Sequence, residues 1–124
     1  MHSRAGPAVT QVRRGAAAEE LAARHLARRG LEVVARNYRV RGGEIDLVCI
    51  DRGTLVFVEV RLRGTAAFGG AAASITAAKR RRIVLAARHY LQDRPERPCR
   101  FDAVLLDRLD ADGIEWIRDA FAAE

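Results

Sequence analysis

Residues 44–61 constrain this chain more than any other segment. Two apolar, β-branched runs, EIDLVCI at 44–50 and LVFVEVR at 55–61, flank Asp51-Arg52-Gly53-Thr54. Gly53 supplies the positive φ that a tight turn needs, so the spacing predicts a β-hairpin with Arg52 and Gly53 at its tip. Pairing from that tip sets Asp51 opposite Thr54, Asp46 opposite Glu59 and Glu44 opposite Arg61. Because side chains alternate along a strand, Glu44, Asp46, Glu59 and Arg61 project from one face, with Val48, Ile50, Leu55 and Phe57. Ile45, Leu47, Cys49, Val56, Val58 and Val60 take the other face. A bulged three-residue loop would shift the pairing by one and leave Asp46 and Glu59 as neighbours rather than directly opposed.

Both faces are apolar away from the quartet, which predicts a central hairpin in a covered sheet. Its charges must then be paired, metal-bound or held at a rim, because an isolated buried carboxylate is very costly. Opposed Asp46 and Glu59 repel unless a cation sits between them. Hard oxygen ligands at that separation suit Mg²⁺ or Mn²⁺, which keep several waters and bind through one or two carboxylates plus substrate phosphate. The same spacing also fits a Glu44–Arg61 ion pair beside a carboxylate pair exposed at a sheet edge.

A chain of 124 residues with 49% hydrophobic content suffices for one domain. We expect a flexible segment at 1–14 and a single domain at 15–124. Residues 15–29 read as a helix closed by Gly30. Residues 31–35 read as a short strand, and 36–43 as a basic strand end or loop. Residues 63–74 form a glycine- and alanine-rich loop. Ser74 or Thr76 caps a second helix running to about Gln92, with Ile83, Ala86, Ala87, Tyr90 and Leu91 as its apolar stripe opposite Lys79, Arg81 and Arg88. Residues 101–106 and 114–118, around a turn at 110–113, read as two last strands. On helix one, Glu19 falls at the margin of the stripe of Ala18, Ala22 and Leu26, while Glu20 points away toward Arg24.

The 22 basic and 16 acidic residues leave a net charge of +6, which favours a polyanionic partner, nucleic acid first. Of the 22, 21 are arginine, and Lys79 is the one lysine. Cys49 and Cys99 have neither metal-ligand nor disulfide-framework spacing, as expected in a reducing cytoplasm. No signal-peptide pattern or membrane-spanning run is found, so no membrane partner is expected.

The run GEIDLV from Gly43, VFVEVR from Val56, Phe68-Gly69, Lys79 within an amphipathic helix, and Arg100-Phe101-Asp102 together resemble the YraN family, small bacterial proteins similar to Holliday-junction resolvases. The likeness runs from about Gly15 to Leu106. It implies an α/β restriction-endonuclease-like core of the PD-(D/E)xK type, a mixed central sheet flanked by helices. The strand carboxylate falls on Asp46, the second acid on Glu59 and the helix-one glutamate on Glu19. This chain departs at Arg61, where the pattern has lysine. Arginine stays protonated and can stabilise charge, but cannot act as a base.

The resemblance implies a Mg²⁺- or Mn²⁺-dependent endonuclease acting on DNA, branched or junction DNA included. Asp46, Glu59 and the Val60 carbonyl would hold the metal, and Glu19 would act through water or a second metal. Arg61, Lys79 or both would stabilise the transition state. Arg36, Arg39, Arg41, Arg80 and Arg82 are candidates for phosphate-backbone contacts. The rival expectation is a non-catalytic nucleic-acid-binding or scaffold protein that keeps the fold. An RNA substrate fits the sequence equally, and resolvase-like enzymes commonly work as homodimers.

Overall fold

A computed structural model describes residues 7–62 and 75–123, with side chains from residue 14 onward. The elements are α1 (Pro7–Arg28), β1 (Glu32–Val40), β2 (Gly43–Asp51), β3 (Thr54–Leu62), α2 (Ala77–Leu91), β4 (Cys99–Leu106) and β5 (Ile114–Phe121). The five strands form one sheet in the order β1-β2-β3-β4-β5. Only β3 and β4 run parallel; the other neighbours are antiparallel. A parallel neighbour requires a crossover, and α2 supplies it. The result is the expected α/β fold, a mixed sheet with helices, consistent with a restriction-endonuclease-like core.

The hairpin has the expected register: Asp51 pairs with Thr54, Ile50 with Leu55 and Leu47 with Val58. Arg52 and Gly53 both have positive φ, 50° and 87°, so the tip is a two-residue turn matched to the twist of the strands. Thr76 caps α2, its hydroxyl accepting from Lys79 N at 3.1 Å. The alternative cap, Ser74, lies outside the described residues, as do Phe68-Gly69 and the whole 63–74 segment.

The start of α1 differs from expectation, and β4 and β5 run longer than the expected 101–106 and 114–118, from Cys99 and to Phe121. Helix α1 starts at Pro7 rather than Gly15, and Pro suits a first helical position because its missing N–H would have no intrahelical partner there. Of the two readings of 36–43, strand end and loop, strand β1 holds through Val40, because Arg36, Tyr38 and Arg39 pair along β2. Its arginines stay in solvent at the sheet's edge, which is why an arginine-rich stretch can still be a strand.

Each face of the sheet carries a core. Helix α1 packs Ala18, Ala22, Ala23 and Leu26 on Leu47, Cys49, Val56, Val58, Val104 and Leu106. Helix α2 packs Ile83, Ala86, Ala87 and Tyr90 on Ile45, Val48, Leu55, Phe57 and Phe101. Ile45 therefore sits on the α2 face, against the simple alternation that grouped it with Leu47. Asn37, flanked by the pairs Arg36–Leu47 and Tyr38–Ile45, takes a left-handed φ of 51°. Arg36 reaches α1 and Tyr38 packs under α2, so β1 and β2 change face together at Asn37 and Asp46.

Gly43 locks this end of the sheet to α2. A Cβ there would collide with the Arg82 carbonyl oxygen and lie 3.1 Å from Ala86 N. The start of β2 and the first turns of α2 are thus held backbone to backbone, which brings Lys79 over the sheet.

Candidate active site

The β2–β3 ladder stops at Leu47–Val58, so the predicted quartet of directly opposed charges is not formed. The change of face at Asp46 turns its carboxylate toward the β3 backbone, where Asp46 Oδ2 accepts from Val60 N at 2.8 Å. Asp46 and Glu59 remain close enough that each carboxyl acts on the other's proton affinity. Glu59 is 2% exposed, and its Oε1 has no hydrogen-bond partner among the described residues. Burial, reinforced by the Asp46 charge, pushes the Glu59 carboxyl up to about 8, against the pull of Lys79 and Arg61. Burial also raises Asp46, opposed by the Val60 N–H and by Lys79.

The cations are arranged differently from expectation. Arg61 does not face Glu44; its Nη1 lies 3.9 Å from Glu59 Oε2. Glu44 instead collects Lys79 Nζ at 3.6 Å, Arg39 Nε at 3.7 Å and Arg82 Nη2 at 4.0 Å. Lys79 Nζ also lies 3.5 Å from Glu59 Oε2, bridging the two glutamates. The half-buried lysine is thus brought to the second acid from α2. Its charge offsets part of the repulsion between the buried Glu59 and the part-buried Asp46, and a perturbed pair of this kind is a common mark of a functional centre.

Glu19 approaches from α1. Burial and then the Asp46 charge raise its carboxyl, while a hydrogen bond with the Asn37 side chain lowers it. With Gly15, Ala16, Asn37 and Arg39 it lines a cavity of about 310 Å³. Among the described residues, no three Asp, Glu, His or Cys side chains are grouped closely enough to hold a metal by themselves. The donor set is therefore two carboxylates with Glu19 farther out. That set fits a hard divalent cation completed by water and phosphate, and the orphaned Glu59 Oε1 is a free oxygen ligand for one.

The candidate phosphate-binding arginines divide. Arg39 and Arg82 stand at the site through Glu44, and Arg41 is exposed on the β1–β2 turn next to it. Arg36 is paired with Glu20 Oε1 at 2.6 Å on α1, and Arg80 donates to the Ile75 carbonyl at 3.1 Å. Glu20 also takes Arg24, as its spacing predicts.

Sequence reasoning missed the role of Asp102. It is fully buried on β4 and accepts from Arg100 Nε, Trp116 Nε1 and Asp119 N at 2.9–3.0 Å, while Arg100 Nη2 reaches Asp51. An aspartate inside the apolar run of residues 101–106 was the available signal, since such a charge must be paired.

The family model described as Uncharacterised protein family UPF0102 matches residues 18–106, a span that holds Glu19, Glu44, Asp46, Glu59, Arg61 and Lys79. The chain belongs to the UPF0102 family. A UPF0102 protein of Methylobacillus flagellatus is 63% identical over 106 residues, covering 86% of this chain and 94% of that protein. One from Dechloromonas aromatica is 61% identical over 115 residues, 93% of each chain. Another, from Cupriavidus taiwanensis, is 60% identical over 113 residues, covering 90% of this chain and 84% of its own. UPF0102 membership thus extends over the second half of α1, all of α2 and β1–β4. No described helix of this UPF0102 protein is long and apolar enough to cross a membrane.

Proposed function

We propose that this UPF0102 protein is a metal-dependent phosphodiesterase of the YraN, PD-(D/E)xK type that cleaves DNA, branched or junction DNA included, in the cytoplasm. The observation that carries this reading is the convergence of Asp46, Glu59 and Lys79 at the splayed end of the hairpin. Asp46, Glu59 and the Val60 carbonyl hold Mg²⁺ or Mn²⁺, with Glu19 acting through water. When bound, the metal supplies a polarised phosphate and a water of lowered pKa. Lys79 stabilises the charge that develops on the phosphate, and Arg61 adds to it from the β3 side. Glu44 keeps Lys79 directed at Glu59. Arg39, Arg41 and Arg82 hold the phosphate backbone beside the site, and cutting two strands symmetrically would take a homodimer.

A non-catalytic nucleic-acid-binding role is the second reading, favoured by Arg61 in the place of the pattern's lysine. Cleavage assays on single-stranded, duplex and four-way-junction DNA, with Mg²⁺, Mn²⁺ or EDTA, separate the two. Metal-dependent products, lost in Asp46→Asn, support the enzyme. Salt-sensitive binding without products in any metal leaves the binding role. Calorimetry showing equal Mn²⁺ affinity in wild type, Asp46→Asn and Glu59→Gln would overturn the metal assignment.

A further inference from the structure

A second concentration of positive charge lies at the opposite end of the hairpin from Glu59. Arg29, Arg52 and Arg118, with Gly30 and Asp51, line a cavity of about 190 Å³. No ion pair joins any of the three arginines to a carboxylate of the described residues. The one acid in the cavity, Asp51, is already taken by Arg100 at 2.9 Å, so it does not neutralise them. Three arginines without an ion-pair partner among the described carboxylates therefore line one small space.

Two non-glycine residues at or beside this cavity, Arg52 and Asp119, take left-handed φ. Gly30, Arg52 and Asp119, the residue after Arg118, all adopt positive φ, at 96°, 50° and 54°. L side chains resist that conformation, and Arg52 adopts it at a turn tip where glycine or asparagine would sit without strain. Such outliers gather where a side chain must be aimed. Asp119 is held by its N–H on Asp102 at 2.9 Å, and Arg118 lies over the Trp116 ring at 4.2 Å. That stacking orders the plane of the Arg118 guanidinium while leaving its N–H edge available. A planar fork of N–H donors matches phosphoryl oxygens better than it matches a monovalent halide.

We infer that Arg29, Arg52 and Arg118 form a second anion site that takes a phosphoryl group, separate from the carboxylate centre. The ligand is a phosphate monoester, free or terminal, or a phosphodiester of nucleic acid. The test uses the full chain and the arginine side-chain Nε–H resonances. Inorganic phosphate should shift the signals of these three arginines saturably. Arg52→Gly should weaken that binding at least tenfold without lowering the melting temperature, since glycine adopts the turn's φ freely. Arg88→Ala, on the exposed side of α2, should leave it within twofold. A single-stranded oligonucleotide lacking terminal phosphate that saturates the same signals assigns the site to nucleic acid. Saturation by inorganic phosphate and a nucleoside monophosphate alone assigns it to a small phosphorylated ligand. Weak, non-saturating shifts spread over all arginines, or equal losses in Arg52→Gly and Arg88→Ala, overturn the site. None of these readouts depends on cleavage.

Discussion

Lys79 Nζ lies 3.5 Å from Glu59 Oε2, so an ammonium group stands beside the second acid although position 61 is arginine. A group acting mainly in the transition state lowers rate without weakening ground-state binding. Lys79→Arg should therefore slow single-turnover cleavage by about tenfold or more with DNA affinity nearly unchanged. Arg61→Lys should change the same rate by less. A silent Lys79→Arg with a large Arg61→Lys gain would move the role back to β3.

Glu44 gathers Lys79, Arg39 and Arg82, and so acts as a positioning residue for the ammonium. Because Lys79 is the chain's one lysine, its side-chain ¹⁵N ammonium signal needs no assignment by mutation. Glu44→Gln should make that signal more mobile and lower the cleavage rate with little effect on Mn²⁺ affinity. An unchanged Lys79 signal would show that Glu44 does not hold it.

The proton held near Glu59 makes stability depend on pH with a definite sign. Glu59 sits at about 8 in the folded chain against an ordinary 4.5, with Asp46, Lys79 and Arg61 facing it. Between those values the folded state binds the extra proton, so stability falls as pH rises through this window and is fully present below it. The loss in metal-free protein should be on the order of a few kcal/mol. Denaturant unfolding in EDTA, followed by the fluorescence of Trp116, should show the decline. Glu59→Gln, which stays neutral, should flatten it, and a wild-type profile rising over the same interval would contradict the protonated pair.

Asp102 anchors β4 to β5 and to Arg100, and removing it leaves the Trp116 and Asp119 N–H groups without their acceptor and the part-buried Arg100 with Asp51 alone. Asp102→Ala should cost roughly 3–5 kcal/mol in unfolding free energy, with Trp116 reporting the loss of its acceptor. Asp119→Ala, which keeps the backbone N–H donor, should cost much less.

The hairpin register, the Thr76 cap and the apolar members of the α2 stripe were legible because each depends on residues close in sequence; Lys79, set opposite that stripe, instead stands half-buried one turn before Ile83 and faces Glu59. The change of face at Asn37 and Asp46 was not, since alternation carries no sign of where it slips; an asparagine in a strand, tolerant of left-handed φ, was the faint clue. The extent of α1 was hidden by the mixed, weakly periodic residues ahead of Gly15. Glu44 was matched to Arg61 by strand pairing alone. Its actual partners Lys79 and Arg82 come from a helix whose position is set by the Gly43 contact, a tertiary fact outside local pattern.

The crossover through α2 also orders the assembly of the centre. Asp46 and Glu59 come together in a local hairpin whose strands are neighbours in the chain, whereas Lys79 arrives only when α2 docks and β4 aligns with β3. Contacts of short sequence separation close before long-range ones. Until α2 docks against the start of β2, the two acids stand without their ammonium.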